Sequence, residues 1–137
     1  MVQVRLARKQ DNNRWDDFVR LHPEATPYHL FAWKEAVENA YKHESHYLLA
    51  EENEKIIGVL PLFFMRLPFI SSQLISLPFC DVGGCLVEDV TTEMKLLQEA
   101  VAIARKIKAG SVEIRTRRRN FSPPAEGLTI TTRTPIK

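Results

Sequence analysis

The stretch from Gln73 to Thr116 constrains this chain most. Leu74-Ile75-Ser76-Leu77 reads as an apolar strand that meets Pro78 and opens into Phe79-Cys80-Asp81-Val82-Gly83-Gly84. A helix is expected from about Thr91 to Ala109, and Val112-Glu113-Ile114-Arg115-Thr116 then alternates as a further strand. A glycine pair just past a strand and before a helix is where α/β folds expose backbone amides to an anionic or carbonyl-bearing ligand. The expected helix has Met94, Leu97, Ala100, Val101, Ala104 and Ile107 on one face, Asp89 or Thr91 near its cap and Gly110 closing it. Arg105, Lys106 and Lys108 in its last turns complement the helix dipole.

Before this unit, Val2, Val4 and Leu6 alternate with polar residues as in a half-buried edge strand. Asn12 or Asn13 caps a short helix whose apolar face is Trp15, Phe18 and Val19, stopped before Pro23. A second helix follows Thr26-Pro27 with the stripe Leu30, Trp33, Val37, Ala40 and Tyr41. Ser45 to Glu51 and Lys55 to Met65 read as a hairpin around Glu52-Asn53-Glu54, with a bulge or edge expected at Pro61 because proline lacks a ladder donor. Phe121 to Glu126 reads as a loop and Leu128 to Thr132 as a last strand.

The 137 residues suffice for one domain, 1–137, and one core. With 45% hydrophobic and 26% charged residues the composition is that of a soluble globular chain, and a formal charge of +2 supplies no global attraction to nucleic acid or membrane. The apolar run from Ile56 to Met65 is shorter than the roughly 20 residues that cross a bilayer, and no secretory signal follows Met1, so a cytoplasmic location is expected. Cys80 and Cys85 fit a reducing compartment.

No catalytic motif is complete. The Gly-x-Ser-x-Gly elbow, the phosphate loop and the dinucleotide fingerprint are all absent, and neither His43 with His46 nor Cys80 with Cys85 has zinc-ligand spacing. Asp81 is the only acid inside the glycine segment, a candidate to accept a proton from an amine or to orient it; its other reading is a hydrogen bond to the turn backbone. The amides of Val82, Gly83 and Gly84 would suit an oxyanion or a phosphate, and equally Gly83-Gly84 makes a tight turn. Arg115, Arg117, Arg118 and Arg119 form the one local charge excess, read either as an anion or tRNA contact or as a solvated strand end. Glu113 and Arg115 share a face of their strand and would form an ion pair.

The order of elements resembles the GNAT acyltransferase fold, an α+β layout with a mixed, mostly antiparallel central sheet and flanking helices. The wording is narrower: Asp16-Asp17-Phe18-Val19, His22-Pro23-Glu24-Ala25-Thr26, Phe31-Ala32-Trp33, Gly58-Val59-Leu60-Pro61-Leu62, Ser76-Leu77-Pro78-Phe79, Gly83-Gly84 and Val112-Glu113-Ile114-Arg115 resemble the first half of FemAB-type proteins. The resemblance is to the FemAB-like branch associated with exosortase and PEP-CTERM exopolysaccharide systems. It departs in Cys85, where relatives commonly carry proline, and in stopping at Lys137, about where the second GNAT-like half should begin.

The resemblance implies the acceptor-side half of an acyl or aminoacyl transferase, incomplete alone, working on a cell-envelope precursor or nucleotide-sugar acceptor. Aminoacyl-tRNA or acyl-CoA would be the donor, tRNA would be reached through the missing half, and no cofactor is implied. Trp33 and Lys34 fall in the segment that approaches the acceptor, and Phe79, Val82, Gly83, Gly84 and Arg115 complete the expected substrate-binding set, with Asp81 as the catalytic candidate. Trp33 has a second reading as core and Lys34 as a solvated helix-face residue. Tyr28 and His29 precede that helix, and a loop histidine is expected to be exposed. A stand-alone acetyltransferase would want a pyrophosphate loop with spaced glycines at the start of the long helix, whereas Cys85-Leu86-Val87-Glu88-Asp89-Val90 has no glycine and two acids. A non-catalytic binding module of the same fold is the further alternative. A lobe without its partner would also expose an apolar surface through which copies associate.

Overall fold

The computed structural model describes residues 1–41, 44–65, 72–76 and 84–113. In chain order it has β1 (Gln3–Leu6), α1 (Asn12–Leu21), α2 (Phe31–Tyr41), β2 (Glu44–Ser45), β3 (Leu48–Glu52), β4 (Lys55–Leu60), β5 (Leu62–Met65), β6 (Gln73–Ser76), β7 (Leu86–Val87), α3 (Val90–Lys106) and β8 (Ser111–Glu113). Short 3-10 turns, Lys9–Asp11 and Pro27–His29, lead into α1 and α2. The expected last strand at Leu128 to Thr132 lies outside the described residues.

Among the described residues the strands form two four-stranded sheets, β1-β3-β4-β7 and β2-β5-β6-β8. All pairings are antiparallel except β6 with β8, which run parallel across the α3 crossover. The hairpin turn is where it was expected: Asn53 and Glu54 have φ of 53° and 64°, the left-handed pair that a two-residue hairpin requires. Both long strands of that hairpin nevertheless divide. Pro61 separates β4 in one sheet from β5 in the other, so it marks a change of sheet rather than a bulge in one strand. The missing proline N–H explains why pairing cannot run through it.

Alternation along the strands builds a three-layer structure. Leu48, Ala50, Leu62, Phe64 and Val87 point toward α3, where Leu96, Leu97, Ala100 and Ala104 meet them. Their neighbours Leu49, Phe63 and Leu86 point the other way, into a core with Trp15, Val19, Phe31, Val37 and Tyr47. Layers on both faces account for the nearly continuous apolar run from Ile56 to Phe64, which a one-sided sheet would have broken with polar residues. Gly58 allows α3 to approach β4: a Cβ there would lie 2.9 Å from Thr92 Cγ2 and 3.0 Å from Val87 Cγ1. The helix stripes shift slightly from expectation. Leu96 is fully buried and Met94 only partly, while Phe31 replaces Ala40 on the inner face of α2. Among the described residues no helix is long and apolar enough to cross a membrane.

β6 and β7 lie against consecutive parts of one partner line. Ser76 faces Leu62 and Leu86 faces Val59, so three steps on the partner correspond to ten in sequence between Ser76 and Leu86. A short strand therefore stands between the glycine pair and α3, which sequence alone does not suggest. It places Gly84 two residues before β7 instead of at a helix entrance.

Candidate functional site

Of the expected site residues, Phe79, Asp81, Val82, Gly83 and Arg115 lie outside the described residues. Gly84, Trp33 and Lys34 lie within them. Gly84 is buried, and its carbonyl oxygen is 3.0 Å from Nε2 of His29. The other ring nitrogen of His29, Nδ1, receives the backbone N–H of Thr26 at 3.1 Å and lies 2.9 Å from the Thr26 hydroxyl. An amide N–H can only donate, so Nδ1 is an acceptor and the neutral ring carries its proton on Nε2, which donates to Gly84. His29 is 0% exposed, which corrects the expectation of an exposed loop histidine. It is inside because the Pro27–His29 turn lies over Trp15, whose Nε1 donates to the His29 carbonyl at 2.8 Å.

His22, seven residues earlier at the end of α1, repeats this arrangement. Its Nδ1 accepts the Glu24 N–H at 3.1 Å, leaving Nε2 to donate to the Val87 carbonyl at 2.9 Å. Two imidazoles from the α1–α2 connection thus hold both ends of the Gly84–Val87 segment. Neither is aimed outward as a base.

At the start of α2, the Phe31 N–H is capped by Asp16 Oδ1 at 2.8 Å, which ties α2 to α1. Lys34 is 19% exposed rather than a fully solvated surface cation. Its Nζ donates to Glu38 Oε1 at 3.1 Å and lies 5.2 Å from the Phe31 ring centroid. Glu38 also accepts from Ser45 Oγ at 2.6 Å, so the lysine belongs to a short network joining α2 to β2. Trp33 is partly buried against the α1 and α2 core, with its ring 5.0 Å from that of Tyr28, itself 46% exposed. The Trp33 indole N–H is buried and meets no acceptor among the described residues. His29, four residues before Trp33 in the chain, joins this lead-in to Gly84.

The N-terminus of α3 is closed by carboxylates. Asp89 Oδ1 accepts the Thr92 N–H at 2.7 Å, and this backbone bond, first among its causes, holds the Asp89 carboxyl below its usual range. Glu93, in the first turn, is buried, and Glu88 precedes the cap. A helix start of this kind already has an anion on its free amides.

A cleft of about 650 Å³ opens between the outer end of α1, the β3–β4 turn and the β7–α3 link. Phe18, His22, Ile56 and Val87 line it. In the sequence Phe18 reads as a helix-stripe residue, Ile56 as a strand residue, His22 as part of the FemAB-like wording and Val87 as part of the segment before α3, so none marks this cleft; in the structure Leu21, which also lines it, is left 87% exposed. Among the described residues no three His, Cys, Asp or Glu side chains are close enough to hold a metal ion, and Cys85 is buried.

The fold is GNAT-like, as the order of elements led us to expect. FemX is similar over 79% of this chain, at 21% identity and a TM-score of 0.63, and the chain spans 25% of the FemX chain. A transcriptional regulator from Bacillus halodurans C-125 matches over 96% of this chain and 99% of its own, at 16% identity and a TM-score of 0.62. A GNAT family acetyltransferase from Staphylococcus aureus subsp. aureus USA300_TCH1516 matches over 93% and 96%, at 15% identity and 0.61. These likenesses establish the GNAT-like fold. No protein-family model and no curated protein matches the sequence.

Proposed function

We propose that this chain is a GNAT-like lobe of a FemAB-type acyl or aminoacyl transferase, cytoplasmic, holding the acceptor, a cell-envelope or exopolysaccharide precursor, and depending on a second lobe for its acyl donor. The likeness to FemX over most of this chain, and a quarter of that one, supports the reading. So do the FemAB-like motifs in the sequence, His22-Pro23-Glu24-Ala25-Thr26 and Phe31-Ala32-Trp33 among them.

The observation that carries the choice against a stand-alone acetyltransferase is the start of α3. A pyrophosphate bound there would need free amide donors and a positive potential. Asp89 occupies the amide of Thr92, and Glu88 stands just before the cap as a second surface acid. Calorimetric titration with acetyl-CoA tests this directly. No heat of binding is expected in the micromolar range, and a micromolar dissociation constant would return the chain to the class of autonomous acetyltransferases. A non-catalytic module of the same fold is the second reading, favoured by the match to the Bacillus halodurans regulator along nearly the whole of both chains. Binding of a nucleotide-activated envelope precursor, weakened by Trp33→Ala and Lys34→Ala, supports the transferase lobe; no binding of such a precursor supports the module.

A further inference from the structure

We infer that the cleft beside α1 is a binding site for a small organic cation with an apolar body, separate from any acyl-transfer chemistry. Its volume of about 650 Å³ lies within the range of pockets that enclose small molecules. Its floor is Ile56, buried in the sheet beneath it, with the Val87 end of β7 beside it, where the Val87 carbonyl is held by His22.

The wall is aromatic. Phe18 and His22 lie with ring centroids 5.8 Å apart. Both nitrogens of His22 are engaged by Val87 and Glu24, so the imidazole has no free polar atom for a ligand and contributes its ring. Leu21 on the lip is 87% exposed, an apolar surface that an occupant of the cleft would cover.

Charge then selects the ligand class. Asp17, Glu54 and Glu88 line the cleft against two cations, Arg14 and Lys55. Arg14 is turned to its own neighbours: Nη2 donates to Glu51 Oε2 at 3.2 Å and to the Glu54 carbonyl at 2.7 Å, and Nη1 is 3.6 Å from Asp11. Arg20 reaches Asp17 only as an exposed pair at 3.6 Å, which solvent screens. Counted with Arg20 beside Asp17 and Lys55 on the wall, the three carboxylates leave one negative charge in excess, which over a phenyl ring favours a positive charge, and the ring face adds a cation–π contact. An anion of the same shape meets an unfavourable potential.

The test uses the full chain with benzyltrimethylammonium, which has no nitrogen that can be acylated, and phenylacetate as the anion of similar size. Its outcome is therefore independent of the transferase reading. In ¹H–¹⁵N spectra the cation is expected to shift the amides of Phe18, Leu21, Val87 and Glu88, with phenylacetate binding about tenfold more weakly. Asp17→Asn with Glu88→Gln should weaken the cation severalfold and leave the spectrum otherwise folded. Phe18→Leu should weaken it while keeping the preference for positive charge. Equal or tighter binding of phenylacetate overturns the inference, as does absence of binding by the cation at millimolar concentration. Shifts confined to another surface, or undiminished cation affinity in the double carboxylate variant, overturn it as well.

Discussion

His29 Nε2 donates to the carbonyl oxygen of Gly84 across 55 residues of sequence, at 3.0 Å and inside the protein. The bond fixes the lead-in to α2 against the approach to β7. His29→Leu fills much of the same volume but leaves the Gly84 carbonyl and the Thr26 N–H without this partner. Each buried group so stranded costs about 1–3 kcal/mol, and a loss of roughly 2–4 kcal/mol is expected in urea unfolding. His22→Leu should lose less, about 1–2 kcal/mol, because His22 is only partly buried and water can replace it. Equal stability of wild type and His29→Leu would show that the imidazole is a filler and not a clamp.

Gly58 is a packing requirement rather than a turn. An added methyl would press on Thr92 Cγ2, Val87 Cγ1 and Leu96 Cδ1 at 2.9, 3.0 and 3.1 Å. Two of these belong to β-branched side chains with little rotamer freedom. Gly58→Ala is therefore expected to destabilise by about 1–3 kcal/mol, although alanine in a strand would otherwise be the better residue. Thr92→Ser removes the nearest of the three atoms, so the double variant should recover part of the loss in the same denaturation assay.

What the sequence discloses divides by range. The Asn53-Glu54 turn, the α1 face of Trp15, Phe18 and Val19, and α3 were all legible because period and turn chemistry act within a few residues. The division of the hairpin at Pro61 was half legible: a missing donor is visible in the sequence, but which sheet each side joins depends on β2, β6 and β7. The clamps of His22 and His29 were not legible at all, since their acceptors are backbone carbonyls 65 and 55 residues away and any residue type supplies a carbonyl. The cleft escaped for a similar reason. Phe18 and Ile56 each satisfy a local core pattern, β7 with Val87 was not expected at all, and only the meeting of α1 with the ends of β4 and β7 leaves space between them.

The pair Arg5 and Asp11 sets the acid limit of the fold. Arg5 binds Asp11 with both terminal nitrogens, at 2.9 and 3.0 Å, and its Nε donates to Glu51 at 2.9 Å. The Arg5 hydrogen bond, foremost, lowers the Asp11 carboxyl from 3.8 to about 2, and Glu51 is lowered in the same direction by the same guanidinium. A folded-state value below the unfolded one gives stability that is fully present above about pH 4 and lost as pH falls through about 2. Asp11 is 4% exposed, so the contribution is about 2 kcal/mol at neutral pH. Asp11→Asn should therefore destabilise at pH 7 and converge with wild type near pH 2. Parallel stability curves for the two proteins from pH 7 to pH 2 would contradict the coupling.

The end of α3 is held by a lysine where a glycine would serve better. Gly110 was expected to close this helix, yet Lys108 has φ of 60°, and Gly110 instead donates its N–H to the Ser72 carbonyl at 2.8 Å. The Ala109 N–H reaches back to the Ala104 carbonyl at 2.8 Å and the Lys108 N–H to that of Arg105 at 3.3 Å. This pair of bonds is the Schellman closure, in which the left-handed residue stands next after the C-cap, here Ile107. A side chain in that conformation is strained by roughly 1 kcal/mol, a strain that glycine lacks. Lys108 also places a favourable charge at the negative end of the helix, worth a few tenths of a kcal/mol when exposed. The strain is the larger quantity, so Lys108→Gly should raise stability by about 0.5–1 kcal/mol, whereas Gly110→Ala should give no such gain. Thermal unfolding of the two variants beside wild type distinguishes them, and a Lys108→Gly protein less stable than its parent would mean that the charge outweighs the backbone.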